Sequence, residues 1–373
     1  MIEDLQRAKE YSKRKIQLTM IELLLTVAFL LTMLLAGASQ FLKDTTEGWT
    51  RNFYLNVVLY LGIFTGIYYL LFVGLAFYDG FLLEHKFELS NQTVFRWVKT
   101  SIKKGLLSLL MLLVLGELLY AMLRHFPNRW WLLAACAWLL LTVVLCRIAP
   151  VVIIPLFYKC GPLSNTELKE RLLKLGTNCG VGVKDVFQIQ LSKETKKANA
   201  AVAGWGKGRR ILLGDTLLNK YLDEEIEAVF AHELGHVRMS HTWKILGFGA
   251  IVSLVSFYVA SVLLEAGTGV FGFDGIDDIA AFPLLALILL MVELALMPVQ
   301  NGYLRHLEKQ ADIFALDHTR NRQSFASAIR KLASQNLSDP SPGRFAKLFL
   351  YTHPPISERL RYAKEEEPGH LES

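Results

Sequence analysis

Twenty consecutive residues from Leu23 to Leu42, and twenty-seven from Asn52 to Tyr78, carry no charged side chain. At 1.5 Å of helical rise per residue, either run can cross a hydrocarbon core of about 30 Å. In lipid no water is available to satisfy backbone N–H and C=O groups, so an uncharged run of this length is committed to helix. Four further runs repeat the pattern. They are Gly105–Leu123, interrupted by Glu117; Trp130–Tyr158, interrupted by Arg147; Ile245–Leu264; and Ile279–Leu304, which carries Glu293 and Pro298. Composition agrees: 53% of the 373 residues are apolar and only 20% charged, with the apolar excess gathered in blocks. These values exclude a disordered chain, a long coiled coil and a disulfide-rich secreted scaffold. The expected fold is a polytopic α-helical membrane protein of about six spans with a polar α+β portion.

Lys and Arg set the orientation. Arg7, Lys9, Lys13, Arg14 and Lys15 precede the first span, and loop 79–104 holds another five basic residues. The first loop has only Lys43 and Arg51, and loop 265–278 has none but carries Glu265, Asp274, Asp277 and Asp278. Basic loops stay cytoplasmic. Both termini and the segments 159–244 and 305–373 are therefore expected inside. The net charge of +6 is explained by this topology, without a nucleic-acid partner. The first apolar run is too long for a cleavable signal and reads as an anchor. Cys136, Cys146, Cys160 and Cys179 form no C-x-x-C pair and are expected as reduced thiols. The sequon at Asn91 falls in an inside loop and is read as chance. Glu22, Glu117, Arg147 and Glu293 lie in or beside the spans. They imply either a structural pair, such as Glu117 with Arg147, or a polar internal chamber.

Four segments follow: a four-span membrane region over 1–158, a polar segment over 159–244, a two-span hairpin over 245–304, and a second polar segment over 305–373. Within 159–244, Ser164 or Asn165 can cap a helix running to about Leu175 and ended by Gly176 and Gly180. Val186–Leu191 reads as a strand, followed by a basic stretch (Lys193, Lys196, Lys197). Asn199–Ala203 and Arg210–Leu213 read as short strands around Gly204–Gly208. Asp223 is the expected N-cap of an amphipathic helix over Glu224 to about Arg238. With Ile226 at its third position, no capping box is expected.

That helix contains His232-Glu233-Leu234-Gly235-His236. Two histidines four residues apart project from one helix face and can reach one zinc ion, with Glu233 placed to handle a proton. A catalytic site needs a third protein ligand and an open position. His241 is rejected for this role, because the H-E-x-x-H-x-x-G-x-x-H spacing falls on Thr242 with Met239 at the glycine position. Glu308 is preferred, with Asp312 four residues on as a carboxylate able to orient a ligand histidine. Topology supports this choice. The last two spans form a hairpin, which brings His236 and Glu308 within roughly 15 Å of one membrane face despite 72 intervening positions.

His232–His236, Asn301-x-x-x-Arg305-x-x-Glu308-x-x-Ala311-Asp312 and His353-Pro354-Pro355-x-x-x-Arg359 occur in the order found in CAAX prenyl protease 1. From about the second span to Arg359 the chain resembles that family of integral-membrane zinc metallopeptidases, which is related to the bacterial heat-shock membrane protease. The resemblance implies a zincin-like (gluzincin) catalytic portion with one Zn2+ held by His232, His236 and Glu308, and Glu233 as base. It also implies His353 and Arg359 facing the reaction centre, Asp312 behind the ligands, and Asn199 on the strand that holds the substrate backbone. The implied partners are a peptide or protein substrate, prenylated or not, and the lipid bilayer. The eukaryotic members have seven spans and an aromatic segment where this chain has Ala200-Ala201-Val202-Ala203, and this chain ends Gly369–Ser373 without an endoplasmic-reticulum retention signal. A bacterial inner membrane is therefore favoured over the endoplasmic reticulum. The alternatives are a quality-control membrane protease of the heat-shock type and a non-catalytic transporter or scaffold.

Overall fold

A computed structural model describes residues 2–203 and 209–364; the Gly204–Gly208 connection and the Gly369–Ser373 end lie outside them. The membrane portion begins with α1 (Ile2–Leu35) and α2 (Ala38–Trp49). The expected first span does not run unbroken to Leu42. Gly37 takes φ 69°, a left-handed conformation that costs glycine little and ends α1. Asn52 accepts the Leu55 amide and starts α3 (Phe53–Phe77), which passes through a π-helical turn at Tyr78–Leu83 into α4 (Glu84–Lys86). Thr93 caps α5 (Val94–His125), and α6 (Trp130–Ile148) continues through a second π turn, Ala149–Ile153, into α7 (Ile154–Phe157). Pro150 and Pro155 supply no backbone donor there, so the α-helical ladder loosens at that end.

The polar segment holds β1 (Cys160–Pro162), α8 (Thr166–Asn178), β2 (Asp185–Ile189), β3 (Ala200–Ala203), β4 (Arg210–Gly214) and α9 (Asp215–Leu218). Then come α10 (Asp223–Arg238), α11 (His241–Phe271), α12 (Phe282–Thr319), α13 (Arg322–Asn336), α14 (Arg344–Phe349) and α15 (Ile356–Lys364). Among the described residues, six helices are long and apolar enough to cross a membrane, the number expected. They are built on α1, α3, α5, α6, α11 and α12.

The sheet runs β1-β2-β4-β3, with β2 and β4 parallel and both outer pairs antiparallel, which leaves β3 on an edge. One face of the sheet packs against α8, α10 and α13 around Leu172, Ile211, Leu213, Phe230 and Leu234, all essentially excluded from water. The membrane bundle has its own core around Tyr60, Leu61, Tyr120 and Trp130.

Asn165 caps α8 as expected, but α8 runs through Gly176 to Asn178. β3 starts at Ala200, so Asn199 immediately precedes the strand, and its carbonyl accepts the Gly214 amide. Glu117 and Arg147 form no ion pair among the described residues, and Glu117 Oε1 is buried without a hydrogen-bond partner. The expectation for α10 shifts by one residue. Leu222 is the cap and Asp223 the first helical residue, so Glu225 reaches the third position and its carboxylate accepts the Leu222 amide at 2.8 Å. This is one half of a capping box, built on a residue whose own side chain cannot accept.

Candidate active site

The site is assembled where α10 crosses α12. Gly235 makes the approach close: a Cβ there would lie 3.1 Å from the Ala311 Cα and 3.2 Å from the Phe314 Cβ. A glycine inside a helix is unfavourable for propensity, and here it lets two backbones approach. The start of α10 is held from both sides. Arg171 of α8 binds Asp223, Glu224 and Glu227, and Glu225 accepts from Lys331 and Ser327 of α13. Burial works against the charged Glu225 carboxylate, but Lys331 and Ser327 more than compensate and lower its pKa.

His232 and His236 stand one turn apart on α10 with their Nε2 atoms 3.2 Å from each other. Glu308 of α12 faces both, with Oε2 3.2 Å from His232 Nε2 and Oε1 3.4 Å from His236 Nε2. Seventy-two positions of sequence thus close to contact, as the hairpin argument expected.

The surrounding hydrogen bonds fix which nitrogens carry protons. Asp312, with no solvent exposure, accepts His232 Nδ1–H at 2.9 Å. Gln310 donates from Nε2 to His306 Nε2 at 3.1 Å, which turns its Oε1 toward His241 Nε2, also at 3.1 Å. His241 Nε2 must then donate, so its Nδ1 accepts, and His236 Nδ1–H donates to it at 2.9 Å. In their neutral forms His232 and His236 then present bare Nε2 lone pairs to each other and to a carboxylate. Glu308 Oε2 is buried without a hydrogen-bond partner.

Three acceptors converging without a donor repel one another unless a cation lies between them. The electrostatics point the same way. Burial disfavours charge on His232, yet Asp312 and Glu308 outweigh it and lift its pKa to about 9. The cluster stabilises added positive charge. His232, His236 and Glu308 form a group able to hold a metal ion, with candidate ligand atoms all within 4.8 Å of one another.

Glu233 lies on the cleft side of α10. Burial raises its pKa above that of an ordinary glutamate, opposed by His232 and His236 and by the backbone amide of Val202 on β3. The cleft has a volume of about 430 Å³, and His232, Glu233, Asn199, Ala200 and His353 all line it. His353 Nε2 lies 3.3 Å from Glu308 Oε2, with its side chain 58% exposed to the cleft.

Arg359 lines the same cleft and also reaches behind the histidines. Its Nε and Nη2 donate to Asp312 at 2.8 and 2.6 Å, so it grips the carboxylate behind His232 and commits two of its three nitrogens there. Asn301 and Arg305, noticed in sequence only as part of a pattern, hold the segment before His353. Asn301 donates to the Phe349 carbonyl, and Arg305 to those of Lys347 and Tyr351.

Sequence reasoning missed His241 and Gln310. Spacing considers His241 only as a metal ligand, whereas the structure buries it and bonds it to His236. Helix periodicity could not reach it, because α10 ends at Arg238 and Ser240 turns the chain through φ 56° before α11 starts.

Residues 162–367 match the model of peptidase family M48, and residues 2–159 match the CAAX prenyl protease N-terminal model, described as five membrane helices. In this chain the same stretch contains four helices of spanning length and the twelve-residue α2. The chain is 31% identical to the Bacillus subtilis protein named uncharacterized metalloprotease YhfN, over 99% of this chain and 88% of that one. It is 30% identical to CAAX prenyl protease 1 of Saccharomyces cerevisiae, over 81% of this chain and 70% of the yeast protein. The crystal structure of S. mikatae Ste24p shares the fold, with a TM-score of 0.87 at 24% identity, over 97% of this chain and 89% of that one. With its paired histidines and glutamate at the foot of a multi-pass membrane bundle, the chain belongs to peptidase family M48 and is a membrane metalloprotease similar to CAAX prenyl protease 1.

Proposed function

We propose that this protein is a zinc metalloendopeptidase that cuts peptide bonds of membrane-associated proteins on the cytoplasmic side of a bacterial inner membrane. The observation that carries this reading is the convergence of two bare Nε2 atoms and the Glu308 carboxylate on one point, each histidine fixed in its tautomer from behind. A nitrogen-rich, buried, three-ligand set suits zinc better than magnesium or calcium, which prefer oxygen. In this reading segments 159–244 and 305–373 form one catalytic unit, 1–158 is a four-span scaffold, and 245–304 is the hairpin that joins the two halves of the site.

When bound, zinc supplies Lewis acidity that brings the pKa of a water toward neutrality. Glu233 takes the proton from the attacking water and returns it to the departing amine nitrogen. Burial raises its pKa, which makes the carboxylate a better acceptor for that proton. His353 faces the cleft from the other side and is the side chain placed to donate to the developing oxyanion. Arg359 and Asp312 keep His232 in its ligand tautomer. The free edge of β3, just after Asn199, offers backbone groups for an extended substrate beside Glu233. The positive-inside bias supports a cytoplasmic site.

CAAX prenyl protease 1 relatives suggest a prenylated protein as substrate. Purified protein should contain about one zinc per chain and lose activity on chelation. Assaying a farnesylated CAAX peptide beside its unprenylated twin and an unfolded membrane protein separates prenyl-directed cleavage from general quality control. Full activity with no bound metal would overturn the assignment.

A further inference from the structure

The basic stretch ending at Lys197 has no part in the mechanism above, yet Lys197 is tied to the membrane helices. After α3 the chain makes one π turn, and the extra residue in that turn redirects the side chains beyond it. Glu84 is thereby turned inward against α1, with only 13% of its side chain exposed. Tyr11 of α1 donates to Glu84 Oε1 at 2.5 Å. Lys197 donates to Glu84 Oε2 at 2.8 Å and to the Tyr11 hydroxyl at 2.8 Å. Lys15 completes the cluster, 3.2 Å from Glu84 and 2.9 Å from Asp79.

The backbone beyond Glu84 follows the segment that carries Lys197. Lys196 donates its amide to the Leu89 carbonyl at 2.8 Å, Asn91 donates its amide to the Glu194 carbonyl at 3.0 Å, and Ser90 pairs with Thr195. Two residues past Lys197 lies Asn199 in the cleft, followed at once by β3. Ala198 between them is gripped by Asn336, whose side chain bonds both its amide and its carbonyl. The next residue, Leu337, is held at φ 49° by burial against Ala8, Tyr11, Leu83 and Phe87. A leucine adopts this left-handed conformation only where packing imposes it. Ser12 of α1 also meets the Tyr351 hydroxyl at 3.3 Å, two residues before His353.

We propose that Glu84 is a positioning residue for peptide binding, which acts through Lys197 to set β3 against Glu233 and makes the ends of the first two membrane helices part of the substrate cleft. Exposed ion pairs contribute little. This one is different: it is mostly withdrawn from water and its carboxylate takes charge-assisted bonds on both oxygens. The inference rests on the metallopeptidase reading, and its effect should appear in substrate affinity rather than in chemistry.

The test uses full-length protein with the farnesylated CAAX peptide or its unprenylated twin, whichever the wild type cuts. Glu84→Gln and Lys197→Met should each raise KM about tenfold with kcat within about twofold and zinc content unchanged. The double variant should be no worse than either single, because both remove one interaction. Lys197→Arg should recover most of the affinity, and Tyr11→Phe should move KM in the same direction by less. Should Glu84→Gln fail to accumulate, Lys197→Met and Tyr11→Phe carry the same test. An active wild type whose variants keep KM, or lose kcat at constant KM, overturns the proposal. A wild type without metal-dependent cleavage overturns the reading beneath it.

Discussion

Two polar clusters among the described residues differ in how their hydrogen bonds close, one complete and one open. In one, Lys43 of α2 reaches Asp274 at 2.8 Å and Asp278 at 2.9 Å. The Asp278 carboxylate also accepts the amides of Asp274 and Ala280. Next to it Ser39 binds Tyr60 and the Ala280 carbonyl. Each of these interactions has a donor and an acceptor, and together they tie α2 to the loop between α11 and α12. In the other, His232, His236 and Glu308 converge on one point, with Asp312 and His241 holding the histidines from behind and His353 facing Glu308 from the cleft. Burial of polar groups alone therefore does not mark a functional site. A structural cluster closes its own hydrogen bonds, whereas the proposed catalytic one is held from behind and left incomplete in front.

Substitutions can break this contrast from either side. The largest expected effect is Glu233→Gln, which should cut peptide cleavage by about 10²–10⁴-fold while zinc content and unfolding temperature stay at wild-type values. Retained cleavage would remove Glu233 from the mechanism. At the other cluster, Lys43→Met leaves Asp278 buried without its cation and should cost about 3 kcal/mol of stability. Thermal unfolding should shift down while kcat at a permissive temperature is unchanged. A drop in kcat instead would mean that the two clusters are coupled.

Asp312→Asn removes the carboxylate that holds His232 and grips Arg359, and should weaken zinc binding by about 10–100-fold in a chelator competition. His241→Phe should lower zinc affinity by about tenfold, because His236 loses its orienting partner but keeps its bare Nε2. The smallest effect concerns pH. Burial raises the Glu233 pKa, and only the carboxylate form can accept a proton, so activity should fall as pH drops through a value above the ordinary 4.5 of a glutamate. An acid limb of kcat at or below 4.5 would show that burial does not tune this group.

Much of this was legible from residue order. The six spans follow from uncharged runs too long for anything but membrane helices, and His232 and His236 share a face because four residues make about one helical turn. Glu308 could be inferred as well, because a hairpin of two spans must return the chain to the face it left. The misses have a common origin. Leu222 is a poor cap by residue type, and it serves because Glu225 and the α8 and α13 side chains hold the helix start in place. Arg359 lines the cleft, but its grip on Asp312 comes from the approach of α15 to α12, which no spacing within the sequence reveals. His241 is excluded as a ligand by spacing, but its place behind His236 follows from the left-handed conformation of Ser240, which no periodicity argument reaches.

Local physics, then, determined which segments are helical, which of them enter lipid, and which residue types could bind a metal. These depend on hydrophobicity, spacing and covalent geometry, all readable within a few turns of chain. Only the tertiary structure decided which nitrogen of each histidine is bare, which carboxylate Arg359 grips, and that Glu84 and Lys197 join the membrane helices to the cleft. Those outcomes depend on contacts between residues as far as 113 positions apart, and on the exclusion of water that makes each hydrogen bond and charge count.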